Sequence, residues 1–107
     1  MNNKSNKGYC YFISNNKSAI KIGFVFDKDN KTPEELIDNR LKELKTGNPD
    51  NLELIYYEKG SMDTEWAYHK KYESENISGE WFKSELILKE IKRKKIEIQM
   101  QKELGYI

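Results

Sequence analysis

Residues 8–26 read Gly8-Tyr9-Cys10-Tyr11-Phe12-Ile13-Ser14-Asn15-Asn16-Lys17-Ser18-Ala19-Ile20-Lys21-Ile22-Gly23-Phe24-Val25-Phe26. Two aromatic and β-branched runs flank a polar Asn-Asn-Lys-Ser cluster, the pattern of a β-hairpin. Ile20, Ile22 and Phe24 recur with the strand period of two and share one face. Four- and five-residue loops both fit the turn, so the register stays open. Any even register sets Tyr11 and Lys21, ten residues apart, on one face of the sheet.

Downstream of the hairpin, Thr32 is an N-cap, Pro33 takes the first helical position and Glu35 stands three residues after the cap. That is a capping box with proline at its preferred site. Leu36, Ile37, Leu41 and Leu44 form the apolar stripe, and Gly47 and Pro49 stop the helix. Residues 51–58 read as a third strand, with Leu52, Leu54 and Tyr56 on one face. Ser61 or Asp63 caps a second helix over about 64–72. A short Gly79-Glu80-Trp81-Phe82 segment precedes a last helix, capped by Ser84 and running to about Leu104 before Gly105. Its stripe of Leu88, Ile91, Lys95 and Ile98 leaves the second half only partly packed. The expected fold is α/β: a small antiparallel three-stranded sheet flanked by helices, in the order β-β-α-β-α-α. Residues 1–7 read as a disordered Asn/Lys/Ser-rich tail. Residues 8–107 read as one domain with a long C-terminal helix from about 84.

Composition narrows the function classes. A chain of 107 residues can bury about 65% of its unfolded surface, enough for one core. Leu, Ile, Val and Phe number 24, just above the level that marks disorder. One Cys and one His exclude an internal disulfide framework and a Cys/His zinc cluster. No apolar run approaches the roughly 18 residues that cross a membrane, and the start lacks the apolar core of a signal peptide. A cytoplasmic protein with no membrane and no organic cofactor is expected. Residues 1–26 carry +4, residues 27–88 carry −6 and residues 89–107 carry +3. Basic ends around an acidic middle suit a polyanion with a metal site, or simply a solvated surface. Seventeen Lys against two Arg resembles coding bias, so single lysines carry little weight.

Three constellations can carry chemistry. Arg40 lies among Leu36, Ile37 and Leu44 at same-face spacings, and either snorkels to solvent or aims its guanidinium at a phosphate. Glu65 and His69 stand four apart on one helix face, either as a simple pair or with Glu65 as a hard oxygen ligand for magnesium. Lys21 beside Tyr11 would favour the phenolate and lower a pKa that starts near 10.

The runs Gly8-Tyr9-Cys10-Tyr11-Phe12-Ile13 and Ile20-Lys21-Ile22-Gly23 resemble the paired motifs of the GIY-YIG endonuclease superfamily. They are most similar to its short phage and bacterial branch, which writes Lys-Ile-Gly in the second motif. Further pieces match in order: Arg40-Leu41-Lys42-Glu43-Leu44-Lys45-Thr46-Gly47-Asn48-Pro49, Leu52-Glu53-Leu54, Glu65 with His69, and Gly79-Glu80-Trp81-Phe82. The match spans about Gly8 to Leu88, and its specificity lies in the joint order of motifs that are individually weak.

The resemblance implies an endonuclease that hydrolyses phosphodiester bonds in DNA with Mg²⁺, or with Mn²⁺ in its place. It implies that Tyr11 helps to activate water, that Lys21 takes the place of the second tyrosine, that Arg40 faces the scissile phosphate and that Glu65 binds the metal. His69 is implied as a further catalytic residue, with Tyr9, Asn48 and Glu80 as secondary candidates. One position departs from the pattern. Many relatives carry a His or Tyr one helical turn after the arginine, where this chain has Leu44. The rival readings are a weak or inactive nuclease-fold module that binds nucleic acid or a protein, and a small interaction protein. The nuclease reading requires Tyr11, Lys21, Arg40 and Glu65 to line one concavity at the edge of the sheet.

Overall fold

The computed structural model describes residues 7–28, 30–47 and 50–105. The elements run β1 (Lys7–Ser14), β2 (Ala19–Phe26), α1 (Pro33–Lys45), β3 (Glu53–Ser61) and α2 (Met62–Lys71). A 3-10 turn (Glu73–Glu75), β4 (Asn76–Ser78), β5 (Trp81–Lys83) and α3 (Ser84–Glu103) complete the order. The α/β class holds, but the sheet has five strands, in the order β3-β1-β2-β5-β4, with every pair antiparallel. The expected three strands are corrected because the Gly79-Glu80 turn folds Trp81–Lys83 back on Asn76–Ser78 and lays both beside β2. Strands of three residues are too short to show a period of two.

Strand β1 is buried along nearly its whole length. On one side, Cys10 and Phe12 join Ile20, Ile22, Phe82, Tyr68 of α2, Tyr72 at its C-terminal cap, and Ile87 and Ile91 of α3. On the other, Tyr9, Tyr11 and Ile13 join Val25, Leu52, and Leu36 and Ile37 of α1. The sheet is therefore a middle layer, with α1 on one face and α2 and α3 on the other. Burial on both faces is why this strand is apolar without alternation. Burial also pushes the Cys10 thiol far up, which keeps it unreactive.

The hairpin leaves residues 15–18 between its strands. Asn15 closes it by accepting hydrogen bonds on its side-chain oxygen from the backbone N–H groups of Lys17, Ser18 and Ala19. Tyr11 lies opposite Gly23 and Lys21 opposite Ile13. The register is thus even, and Tyr11 and Lys21 share a face.

Helix α1 starts with the expected capping box on Thr32 and Glu35. The cap of α2 resolves to Ser61, which accepts from the Asp63 N–H. At α3 the expected Ser84 cap is corrected. Lys83 holds the cap position with no side-chain bond, and Ser84 is the first helical residue. The helix springs directly from β5, and the Ser84 N–H donates to the Ser18 carbonyl.

Two expected faces shift as well. Strand β3 carries a bulge, so Leu54 lies opposite Ile13 but Tyr56 lies opposite Phe12. The extra residue, Ile55, moves Tyr56 to the opposite face from Leu54. On α3 the buried pair is Ile87 and Ile91, while Leu88, Ile96, Ile98, Met100 and Leu104 are exposed. The second half of α3 is thus largely unpacked, as its stripe predicts. The expected 1–7 tail is corrected at Lys7, which begins β1, and residues 1–6 lie outside the described residues. Among the described residues no helix is long and apolar enough to cross a membrane.

Glu90 latches α3 to the end of α2. It accepts from Lys71 Nζ at 2.6 Å and from the Tyr72 hydroxyl. Burial alone would raise its carboxyl, but these two hydrogen bonds together with the charges of Lys71 and Lys94 outweigh burial and hold it below the ordinary value. A depressed carboxylate pKa adds stability that is complete above its unfolded value and disappears as pH falls through the folded value. Glu90→Gln should lower stability near neutral pH by about 1–2 kcal/mol. It should also flatten the acid limb of the stability curve. Thermal melts of both proteins from pH 7 down to pH 3 check this, and parallel acid limbs would contradict it.

Candidate functional site

Strand β5 pairs with β2 only opposite Ala19, Ile20 and Lys21. Beyond that point the last residues of β2 form an open edge, and a cleft of about 370 Å³ lies along it. Tyr11, Lys21, Arg40, Glu65 and Glu80 all line this cleft. The four residues expected to share a concavity do share one, although they come from β1, β2, α1 and α2.

Gly23 explains how Tyr11 gets there. Tyr11 belongs to the α1 side of the sheet and is otherwise buried. Its ring crosses β2 at Gly23, where a Cβ would stand 2.4 Å from both Cζ and Oη. Any side chain at this position would occupy the path of the phenol, so glycine here is a steric requirement. Gly8 has the same function one strand over, because a Cβ there would meet the Val25 carbonyl at 2.1 Å and the Phe24 ring at 2.7 Å.

Glu65 arrives from the other layer on α2, which follows β3 without a loop. Glu80 sits in the β4–β5 turn, where its carbonyl accepts from the Ile22 N–H and its carboxylate accepts from Lys21 Nζ at 2.7 Å. Lys21 is only 14% exposed, while the Glu80 side chain is 44% exposed, so the pair is shielded on the lysine side alone. Burial raises the Glu65 carboxyl pKa and nearby Glu80 raises it further, partly offset by His69 and Lys21. Two carboxylates thus share one end of the cleft with one ammonium.

Arg40 stands at the flank of α1 rather than in its core stripe. Its side chain is 49% exposed and meets Glu43 at 3.3 Å. The guanidinium therefore snorkels and lines the cleft at once. The expectation for Tyr11 is corrected in its electrostatics. Burial raises the phenol to about 12, Arg40 opposes that rise, and Glu80 and Glu65 add to it. The Lys21 ammonium instead bonds to Glu80. Tyr11 is a neutral phenol at physiological pH.

His69 is not among the side chains that line the cleft. Its Nε2 lies 2.9 Å from the Ile22 carbonyl and 3.8 Å from Glu65, with the ring edge against Phe82. It braces β2 from behind Glu65. Tyr9 is buried edge-on against Tyr57 and lines a separate hollow. Asn48 lies outside the described residues. Leu44 is half-buried and lines the cleft. The cleft residues missed in the sequence are Phe24, Phe26, Glu43 and Met62. Phe26 carries a signal in hindsight, as an aromatic residue that continues the strand period to the very end of β2.

Among the described residues no three His, Cys, Asp or Glu side chains gather into a closed metal site. Glu65 and Glu80 together offer hard oxygen ligands and leave most positions to water and substrate, which fits magnesium rather than zinc. No protein-family model, curated protein or solved structure matches the chain.

Gly23→Ala should destabilise the protein by about 1–3 kcal/mol, since the new methyl collides with a buried ring. In a Tyr11→Ala background the same change should cost much less, a non-additivity that a double-mutant cycle reads directly. Equal costs in both backgrounds would mean that Gly23 accommodates something other than the phenol.

Proposed function

We propose that the chain is a divalent-metal-dependent endonuclease of the GIY-YIG type that hydrolyses phosphodiester bonds in DNA. One observation supports this above the rest: a phenol, an ammonium, a guanidinium and two carboxylates from four elements and a turn meet in one open cleft. The motif order of the sequence accounts for each of them.

Phosphodiester hydrolysis needs an aligned water and stabilised charge on the phosphoryl oxygens. Arg40 supplies a planar fork for two of those oxygens, held only by a partly exposed contact to Glu43. Tyr11, neutral with its hydroxyl at the strand edge, accepts a hydrogen bond from the attacking water and orients it. Lys21 fixes the carboxylate of Glu80. Glu65 and Glu80 are the residues that would hold Mg²⁺ or Mn²⁺. The ionisable side chains of the cleft are two cations against three carboxylates, Lys21 and Arg40 against Glu43, Glu65 and Glu80. A bound divalent cation supplies the positive charge that reverses this balance and makes the cleft receptive to a phosphate.

A second reading, a nuclease-fold module that binds without cutting, draws on Leu44. The cleft has an apolar side chain where many members of the family it resembles carry a proton-transfer group, and Tyr11, protonated at neutral pH, cannot take the proton of the water in its place.

Incubation with supercoiled plasmid, with Mg²⁺, with Mn²⁺ or with chelator, separates the two. The nuclease reading expects metal-dependent nicking that Glu65→Ala abolishes, while the melting temperature and most DNA affinity persist. Full activity in Glu65→Ala would place the metal elsewhere, and no cleavage with either metal by the wild type would leave the binding module.

Arg40→Lys adds an independent check. Losing the fork should slow cleavage roughly ten- to a thousand-fold, on the scale of one lost oxyanion donor. The melting temperature should hardly change, because the side chain is half exposed and Lys keeps the apolar stem. Cleavage at the wild-type rate would reject this role for Arg40.

A further inference from the structure

The wall of the cleft that faces away from Glu80 is aromatic. Phe24 and Phe26 lie edge to face, with ring centroids 5.2 Å apart and planes at 88°. Both line the cleft, and both also line a second hollow of about 390 Å³ that continues past Arg40 to Lys28 and Lys31. Phe26 is 42% exposed, although it ends a strand whose other apolar residues are buried or half-buried. Gly8 maintains this pair as well, since a Cβ there would meet Phe24 Cζ at 2.7 Å and Phe26 Cα at 2.9 Å. The sequence thus leaves space for two phenyl rings and exposes one of them beside the phosphate-facing arginine. Among the described residues, three cations, Lys28, Lys31 and Arg40, line the second hollow against one carboxylate, Glu43.

An exposed ring costs free energy in water. An aromatic face flanked by cations along a groove is the arrangement that receives unpaired bases, each of which stacks on a ring while its phosphate follows the positive charge. A paired base inside a duplex has no free face to offer.

We infer that Phe26, supported by Phe24, is a stacking platform for an unpaired nucleobase next to the cleaved phosphate. The preferred substrate is then single-stranded or locally unpaired nucleic acid. This rests on the proposed nuclease reading for the cleft and deepens it by naming the substrate class.

The test uses the full chain with Ca²⁺ in place of Mg²⁺, so that the cleft holds a divalent cation while cleavage does not intervene. Fluorescence anisotropy measures the affinity for a labelled single-stranded oligonucleotide and for the matching duplex. The wild type should prefer the single strand. Phe26→Leu keeps an apolar side chain at the site but removes the π face, and should reduce the single-strand to duplex affinity ratio roughly ten- to a hundred-fold. Phe26→Trp should restore or raise the ratio. Melting curves of both variants identify any loss of fold, and Phe26→Tyr replaces a variant that fails to fold, with a retained ratio expected. A wild-type preference for duplex, or a ratio that is the same in the Leu and Trp variants, overturns the platform. If plasmid is still cut with Mg²⁺ in that case, the nuclease reading stands without it. A Phe26-dependent single-strand preference with no cleavage supports the platform and rejects the hydrolysis. No binding to either strand form rejects the platform outright.

Discussion

The burial of β1 on both faces governs this structure. Tyr9, Tyr11 and Ile13 point toward α1, and Cys10 and Phe12 point toward α2 and α3. A strand with no wet face needs a helical layer on each side, and in a chain of this size those layers cover both surfaces of the sheet. A cleft that reaches the sheet can then open only where the sheet itself ends. The three-residue β5 leaves that gap by pairing with β2 no further than Lys21. Side chains from the interior have to cross the neighbouring strand to reach it, and the missing side chain of Gly23 is what lets Tyr11 through.

The charge arrangement follows from the same gap. Glu65 and Glu80 approach each other at one end of the cleft, where burial and Glu80 raise the Glu65 carboxyl. Lys21, nearly buried, offsets only part of that repulsion while bonding to Glu80. Placing Lys21 on β2, and Glu80 on the turn that β5 pairs with β2, keeps the two in register through the Ile22–Glu80 backbone hydrogen bond. Arg40 stands apart in wetter surroundings, where a guanidinium keeps its charge and loses little hydration. The cleft therefore pairs a half-buried Glu65 and Lys21 at one end with a more exposed Arg40 at the other.

Local chemistry was legible in the sequence where a few adjacent residues decide it. The Thr32–Glu35 capping box needs only four residues, and it formed as expected. The parity of Tyr11 and Lys21 depends only on an even hairpin register. The four-residue spacing of Glu65 and His69 put both on one side of α2, with their side chains 3.8 Å apart. Features that depend on distant partners were not legible. The bulge at Ile55 exists only in relation to Phe12 and Ile13. The pairing of β5 with β2 joins residues about sixty positions apart. The His69 ring is turned toward the Ile22 carbonyl by a contact across the core. The burial that keeps Tyr11 protonated comes from the whole α1 side of the core, which two residues on a hairpin cannot reveal.

Arg40 and Glu65 belong to opposite helical layers and reach one cleft from either side of the β2 edge. Their separation is therefore set by how firmly each layer grips the sheet. Helix α1 is held by Leu36 and Ile37 and by the Tyr57 hydroxyl, which donates to Glu34 at 2.5 Å. Helix α2 continues directly from β3, is anchored by Tyr68 against Phe12 at 5.1 Å, and hydrogen-bonds through Tyr68 to Glu58 at 2.8 Å. Both attachments include β1 and β3, which lie on the same side of the open β2 edge. Positioning errors of about 1 Å can cost a hundred-fold in rate. Anchoring both helices to the same pair of strands makes any movement of the sheet common to the two charged groups, and preserves the distance between them.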